Sequence, residues 1–228
     1  MKKLVSSLIA CTVVACSLFS CGNSSESKSD EKETKKKESA ADLVVGKWAM
    51  TDLNAEGIDA GGIIFSADGK GSIFEDTSSM LHFVDDGLNV GGTTLSTEYF
   101  KEEGDNLTID VMGQEMLVMK KVEAKDGYDG KYSLNGGILY DSILSGLEGR
   151  GLDEKTNIDI SINFDKENSE VVFNDLFSYS VDGSKMTITG FSGFLDSDKD
   201  EVSAEFTVVD DKLTIKDSDK ETVLTKVK

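Results

Sequence analysis

The chain has 228 residues, room for one large all-β domain or two small ones. Lys and Arg number 24 against 43 Asp and Glu, for a formal charge of −19, so a phosphate-binding basic face and a nucleic-acid partner are excluded. There is no proline and one histidine, His82, which removes Pro-rich recognition segments and His-based metal clusters.

The N-terminus reads as an export signal. Met1-Lys2-Lys3 is cationic, Leu4 to Ser20 is uncharged and mostly apolar, and the polar run Gly22-Asn23-Ser24-Ser25 follows. All three cysteines, Cys11, Cys16 and Cys21, lie in this segment. Leu18-Phe19-Ser20-Cys21 resembles the lipobox of bacterial lipoproteins, and the resemblance implies lipid attachment at Cys21 followed by removal of residues 1–20. Val13-Val14-Ala15-Cys16 is a second lipobox-like run, but a cut there leaves the apolar Ser17-Leu18-Phe19-Ser20 behind. The alternative, a retained spanning helix, is opposed by an uncharged stretch that falls short of the ~20 residues a bilayer needs. Two acyl chains anchor a protein stably without a helix. The expected address is a cell membrane, with the protein lipid-anchored on the extracytoplasmic face. With Cys21 at the head of the tether (21–41), no other cysteine remains, so an exported fold here relies on its core alone. Residues 22–41 mix acidic and basic side chains with nothing apolar larger than Ala, which makes them a flexible tether.

From residue 42 the signal has period two. Leu107-Thr108-Ile109-Asp110-Val111, Ile158-Asp159-Ile160-Ser161-Ile162 and Leu213-Thr214-Ile215 alternate apolar and polar, the trace of strands with one buried face. Asp68-Gly69, Asp86-Gly87, Gly104-Asp105-Asn106 and Asp182-Gly183 supply hairpin turns between them. The pattern repeats. Gly46-Lys47-Trp48 returns as Gly130-Lys131-Tyr132, and Phe83 to Gly87 as Tyr179 to Gly183. Phe65 and Phe74 are nine residues apart, as are Phe164 and Phe173. These matches divide the chain into β domains at 42–122 and 130–228, joined by a linker at 123–129. Each copy holds about seven or eight short strands, the number a small closed barrel needs. The second copy adds a short helix near 138–148, where Leu139, Tyr140, Ile143, Leu144 and Leu147 fall at helical spacing. A helix between the first two strands of a barrel lies across its mouth, as a plug or a lid.

Gly46-Lys47-Trp48 at the start of a β meander resembles the Gly-x-Trp opening of the lipocalin-like families. Residues 46–122, and more loosely 130–227, look like the lipocalin-like repeats of bacterial lipoproteins. The resemblance implies two tandem antiparallel up-and-down barrels, small-ligand binding as one use of such a barrel, and a structural Trp48 at the closed end. The second copy departs from the motif at Tyr132.

Other chemistries fare poorly. Asp196, Asp198 and Asp200 resemble the opening of a calcium loop, but Glu201 stands at the sixth place where glycine is required and Thr207 at the twelfth where glutamate is. A solvated loop is favoured over calcium, and no other cofactor is expected. A Ser-His-Asp nucleophile would need His82 as base, and no Gly-x-Ser-x-Gly elbow exists. Met112, Met116 and Met119 suit core filling better than a binding wall. The sequence thus predicts a non-enzymatic, membrane-anchored binding module for a small apolar ligand. Trp48, Phe65, Phe74 and Phe83 would line or close the first barrel, and Tyr140, Leu144, Phe164 and Phe173 the second. The alternative is an interaction protein with filled barrels, whose acidic face engages an envelope protein.

Overall fold

A computed structural model describes residues 39–50, 60–148, 158–190, 201–217 and 220–228. The signal segment, Cys21, most of the tether and Asp196, Asp198 and Asp200 lie outside the described residues. Among the described residues the fold is all-β and antiparallel, with two α-helices.

The first helix, α1 (Ala40–Val44), is started by Ser39. Its hydroxyl accepts from the Asp42 backbone N–H at 3.2 Å, while the Asp42 carboxylate accepts from the Ser39 N–H at 3.1 Å, a reciprocal cap. Three strands follow: β1 (Gly46–Met50), β2 (Ala60–Phe65) and β3 (Lys70–Asp76). Then come β4 (Leu81–Val84), β5 (Gly87–Val90) and β6 (Thr93–Ser96), which form a small sheet of their own. A 3₁₀ turn at Thr97–Tyr99 leads into β7 (Phe100–Glu103), β8 (Asn106–Val111), β9 (Gln114–Ala124) and β10 (Gly130–Gly136). Helix α2 (Ile138–Glu148) precedes β11 (Asp159–Asp165) and the long β12 (Asn168–Asp182). The chain continues with β13 (Lys185–Thr189), β14 (Glu201–Val209), β15 (Lys212–Asp217) and β16 (Lys220–Lys226).

The large sheet runs β13-β14-β15-β16-β1-β2-β3-β12-β11-β10-β9-β8-β7, and β13 pairs with β12 as well. Strands β12 to β16 and β1 to β3 therefore close into a ring of eight. β12 serves two neighbours: residues 168–174 pair with β11, and 178–182 with β13. Between them Asp175 has φ 51°, and the pairing with β3 slips between Phe173 and Phe177. This bulge lets one strand leave the ring and carry the sheet onward.

The strands do not close copy by copy, which corrects the tandem reading. β1 pairs with β16, β3 pairs with β12, and the buried side chains form one continuous core. β9 and β10, on either side of the expected linker, pair directly, and β9 runs into the 123–129 span. The division lies instead at the β3–β4 crossover and at the bulge in β12, so β4 to the first half of β12 is nested inside the ring-forming strands.

The internal repeat survives in space. The Trp48 indole N–H donates to the Val44 carbonyl at 2.7 Å, and the Tyr132 hydroxyl donates to the Tyr128 carbonyl at 2.8 Å, each reaching back four residues. Gly46 and Gly130 have φ 137° and 134° and pair with Phe65 and Phe164. Lys226 lies 5.2 Å above the Trp48 ring, and Lys121 lies 5.5 Å above Tyr132. Phe65 meets Tyr179 at 4.9 Å and Phe164 meets Phe83 at 4.6 Å, both edge-on. Each aromatic pair joins one sequence copy to the other, so the copies interlock. β1, β2 and β3 thus correspond to β10, β11 and the first half of β12.

Inside the ring the period-two pattern is clean. β14 buries Val202, Ala204 and Phe206 and exposes Glu201, Ser203, Glu205 and Thr207. Outside, Asp182, Lys185, Glu205, Lys216 and Glu221 are successive cross-strand partners of alternating sign.

Candidate functional site

Trp48 and Tyr132 are 0 and 1 % exposed, and with Phe65, Met186, Leu213 and Leu224 at 0 to 1 % they leave the ring and its counterpart packed near their glycine-led strands. The open space lies elsewhere. A cavity of about 30 Å³ sits where the nested strands meet the ring. That is room for a water-sized group, far below a drug-sized pocket.

Its wall is built from several elements. β3 and the following crossover contribute Glu75, Thr77 and Met80, and β4 contributes Leu81. Val171 and Phe173 come from β12 and Ile162 from β11. Leu134 and Leu117 come from β10 and β9, and Leu139 and Ile143 from α2. The helix is brought close by Gly137, whose φ is 97°; a Cβ there would stand 2.7 Å from the Met116 carbonyl oxygen. Leu139 and Ile143, four residues apart, share the face turned to the sheet.

Polar order at the rim comes from the crossover. The Thr77 and Ser169 hydroxyls are 2.8 Å apart, and the Thr77 N–H donates to the Ser169 carbonyl at 3.0 Å. The Ser78 hydroxyl donates to Asp76 Oδ1 at 2.5 Å and accepts from the Ser169 N–H at 2.9 Å. His82 Nδ1 lies 2.7 Å from the Ser78 carbonyl oxygen. The Ser78 hydroxyl is thus engaged by Asp76, and the His82 imidazole faces a backbone oxygen.

Of the sequence-predicted ligand residues, only Phe173 lines this cavity. Trp48 and Phe65 pack inside the ring. Phe74 lies on the outer face, opposite Gly62 and under Lys47, whose ammonium is 4.1 Å from the ring centre and pairs with Glu170. Phe83 and Phe164 belong to an aromatic cluster with Phe100, Tyr128 and Tyr132. Burial pushes the Tyr132 hydroxyl up to about 12, and burial with the 2.9 Å bond to Glu102 raises Tyr128. Tyr140 and Leu144 are half-buried one position round the helix from Leu139 and Ile143. Of the methionines, Met119 fills the core, whereas Met112 is 86 % exposed in a turn.

No protein-family model, curated protein or solved structure matches this chain. The site must be read from its own chemistry. Among the described residues no group of three metal-ligating side chains comes together, and no helix is long and apolar enough to cross a membrane. The cavity's walls are almost wholly apolar, with Glu75 and Thr77 among the residues that line it.

Glu75 and Thr77 were missed by the sequence reading. The available signal was parity: Gly71, Ile73 and Glu75 alternate along β3, so Glu75 falls on the same face as a core isoleucine.

Proposed function

We propose that this chain is a cell-envelope lipoprotein, anchored through Cys21, that acts as a non-catalytic binding module for a small apolar ligand. The observation that supports this reading is the apolar cavity beneath α2, at the junction of the nested strands and the ring. The ligand site is therefore assigned to the space under the helix and not to the interior of the ring. Binding proceeds by burial of apolar surface, worth about 25 cal/mol per Å² removed from water. A cavity of about 30 Å³ admits a ligand only when α2 rides outward, so Leu139 and Ile143 act as the movable wall. The lipocalin-like reading belongs with this proposal: eight antiparallel strands in a ring, opened by a Gly-x-Trp strand whose indole is tied to α1, suit that architecture.

Native mass spectrometry of the full chain tests it, against the same sample denatured in organic solvent. A discrete extra mass lost on denaturation is expected. A bare mass, together with no shift in unfolding midpoint across a panel of small apolar compounds, overturns the reading.

The packed ring favours a second reading, an interaction protein with filled interiors and an acidic partner surface. It predicts that reversing outer-face charges abolishes function and that cavity substitutions do not.

A further inference from the structure

Each half of the fold is built from both sequence copies. The ring takes β1, β2 and β3 from the first copy, and β13 to β16 with the second half of β12 from the second. The nested half takes β4 to β9 from the first copy, and β10, β11 and the first half of β12 from the second. The pairs β1 with β16, β3 with β12 and β9 with β10 all cross between the copies. The ion pairs Lys47–Glu170 and Lys70–Asp175 cross as well. The cavity is divided in the same way, drawing Leu81 and Leu117 from one copy and Leu139 and Phe173 from the other.

The covalent link between the copies is slight by comparison. Ala124 and Gly130 face each other across the β9–β10 turn, and residues 125–129 close it. Gly127 has φ 61°, a Cβ there would meet nothing within 4 Å, and its carbonyl accepts from Lys121 Nζ at 2.9 Å. Opening this turn leaves every crossing contact available, provided that the first copy of one chain meets the second copy of another.

From this division we infer that the partner the fold fits is a second copy of the chain, taken up by reciprocal exchange. The first copy of each molecule closes on the second copy of the other, and the two 125–129 links run extended between the bodies. The contacts are those of the single molecule, so the balance between monomer and dimer is set at the turn. Each cavity is then walled by two chains, whatever it holds. The charge of −19 on each chain opposes a face-to-face contact between whole molecules, which exchange does not require.

The test begins with full chains, one batch unlabelled and one labelled with ¹⁵N, unfolded together in urea and refolded at high concentration. Reducing conditions keep Cys11, Cys16 and Cys21 from joining them. Native mass spectrometry is expected to show dimers of mixed label, their fraction rising with concentration; monomer alone overturns the inference. Lys47→Glu and Glu170→Lys, each of which sets like charges against each other, are then refolded as a mixture. Exchange restores opposite charges in both bodies of the mixed dimer. That dimer is expected at about tenfold over either same-variant dimer, against about twofold for random pairing. The random ratio overturns exchange in favour of a face-to-face dimer. Gly127→Val strains the closed turn through its positive φ and leaves an extended link unstrained, so about tenfold more dimer is expected at equal concentration. An unchanged dimer fraction also overturns the inference. The labelled mixture of unaltered chains decides the matter even if a charge variant does not fold.

Discussion

Replacing Tyr132 by Phe separates two contributions of one hydroxyl. At neutral pH the change removes the 2.8 Å bond to the Tyr128 carbonyl and keeps the ring, so the expected loss is about 1 kcal/mol. In alkali the sign turns. Burial raises the hydroxyl from an ordinary 10.0 to about 12, with a smaller push from Glu102. Below about pH 10 it is protonated in folded and unfolded chains alike, and the bond contributes in full. Above that the unfolded chain releases its proton first, binds fewer protons than the folded one, and stability falls until about pH 12. Near pH 11 the accumulated loss is about 1.4 kcal/mol, comparable to the bond itself. The stability curves of Tyr132→Phe and the unaltered chain are therefore expected to meet near pH 11, within about half a unit. Tyr128 and Tyr179 are also raised by burial but are common to both proteins, so they cancel. Urea midpoints followed through the single tryptophan, Trp48, give the curves. A gap that stays constant from neutral pH to pH 11 would refute burial as the hold on the proton. A more stable Tyr132→Phe at neutral pH would refute the contribution of the bond.

Other substitutions probe the backbone and the cavity. A Cβ at Gly62 would stand 1.9 Å from the Trp48 carbonyl oxygen and 2.9 Å from Ala49 Cα, so Gly62→Ala should cost about 3 kcal/mol or more. Gly92→Ala, with open space around it but φ 81°, should cost only about 1–2 kcal/mol; similar unfolding midpoints for the two would contradict the contact. Met112 has φ 57°, is exposed and precedes Gly113, so Met112→Asn should raise the melting temperature by about 2–4 °C, and a fall would count against the turn geometry. Leu139→Ala should lower stability by about 2–3 kcal/mol while tightening apolar-probe binding through a larger cavity; weaker binding would argue against the space beneath α2.

Much of the local structure was legible because it is set by near neighbours. Alternation in β14 and β15, the Asp-Gly and Asn-containing turns, and the helix after Gly137 all follow from residues within a few positions of one another. The repeat of Gly46-Lys47-Trp48 at Gly130-Lys131-Tyr132 was also readable, and its two i−4 hydrogen bonds explain why Tyr can stand in for Trp: each presents a donor at the far edge of its ring. The equal spacing of Phe65–Phe74 and Phe164–Phe173 misled. The first hairpin closes Phe65 onto Gly71, whereas the second closes Asp165 onto Asn168, and the tighter turn shifts the parity. Phe74 therefore faces outward and Phe173 inward. The helix face was ambiguous for a similar reason: Leu139 and Ile143 form one apolar stripe and Tyr140 and Leu144 another beside it, and only contact with β9 and β10 selects between them. Nesting was not legible at all, because strand partners far apart in the chain leave no mark on either segment alone. Without the partners, the meeting of Glu75 and Phe173 at one cavity could not be seen.

The pairing of β1 with β16 also sets the order of events for a chain made from its N-terminus. Trp48 meets Ile63 on β2 early, but acquires its β16 partner, Lys226, only after every strand between them has been synthesised. Until then the β1–β2–β3 meander carries an unpaired edge at β1. Closures over such sequence separations are slow, and an exposed strand edge invites pairing with other chains in the interval. The nested strands, which pair through shorter connections, are placed to form first and offer β3 a surface on which to wait. Refolding should accordingly show two phases, with Trp48 emission reporting the later one.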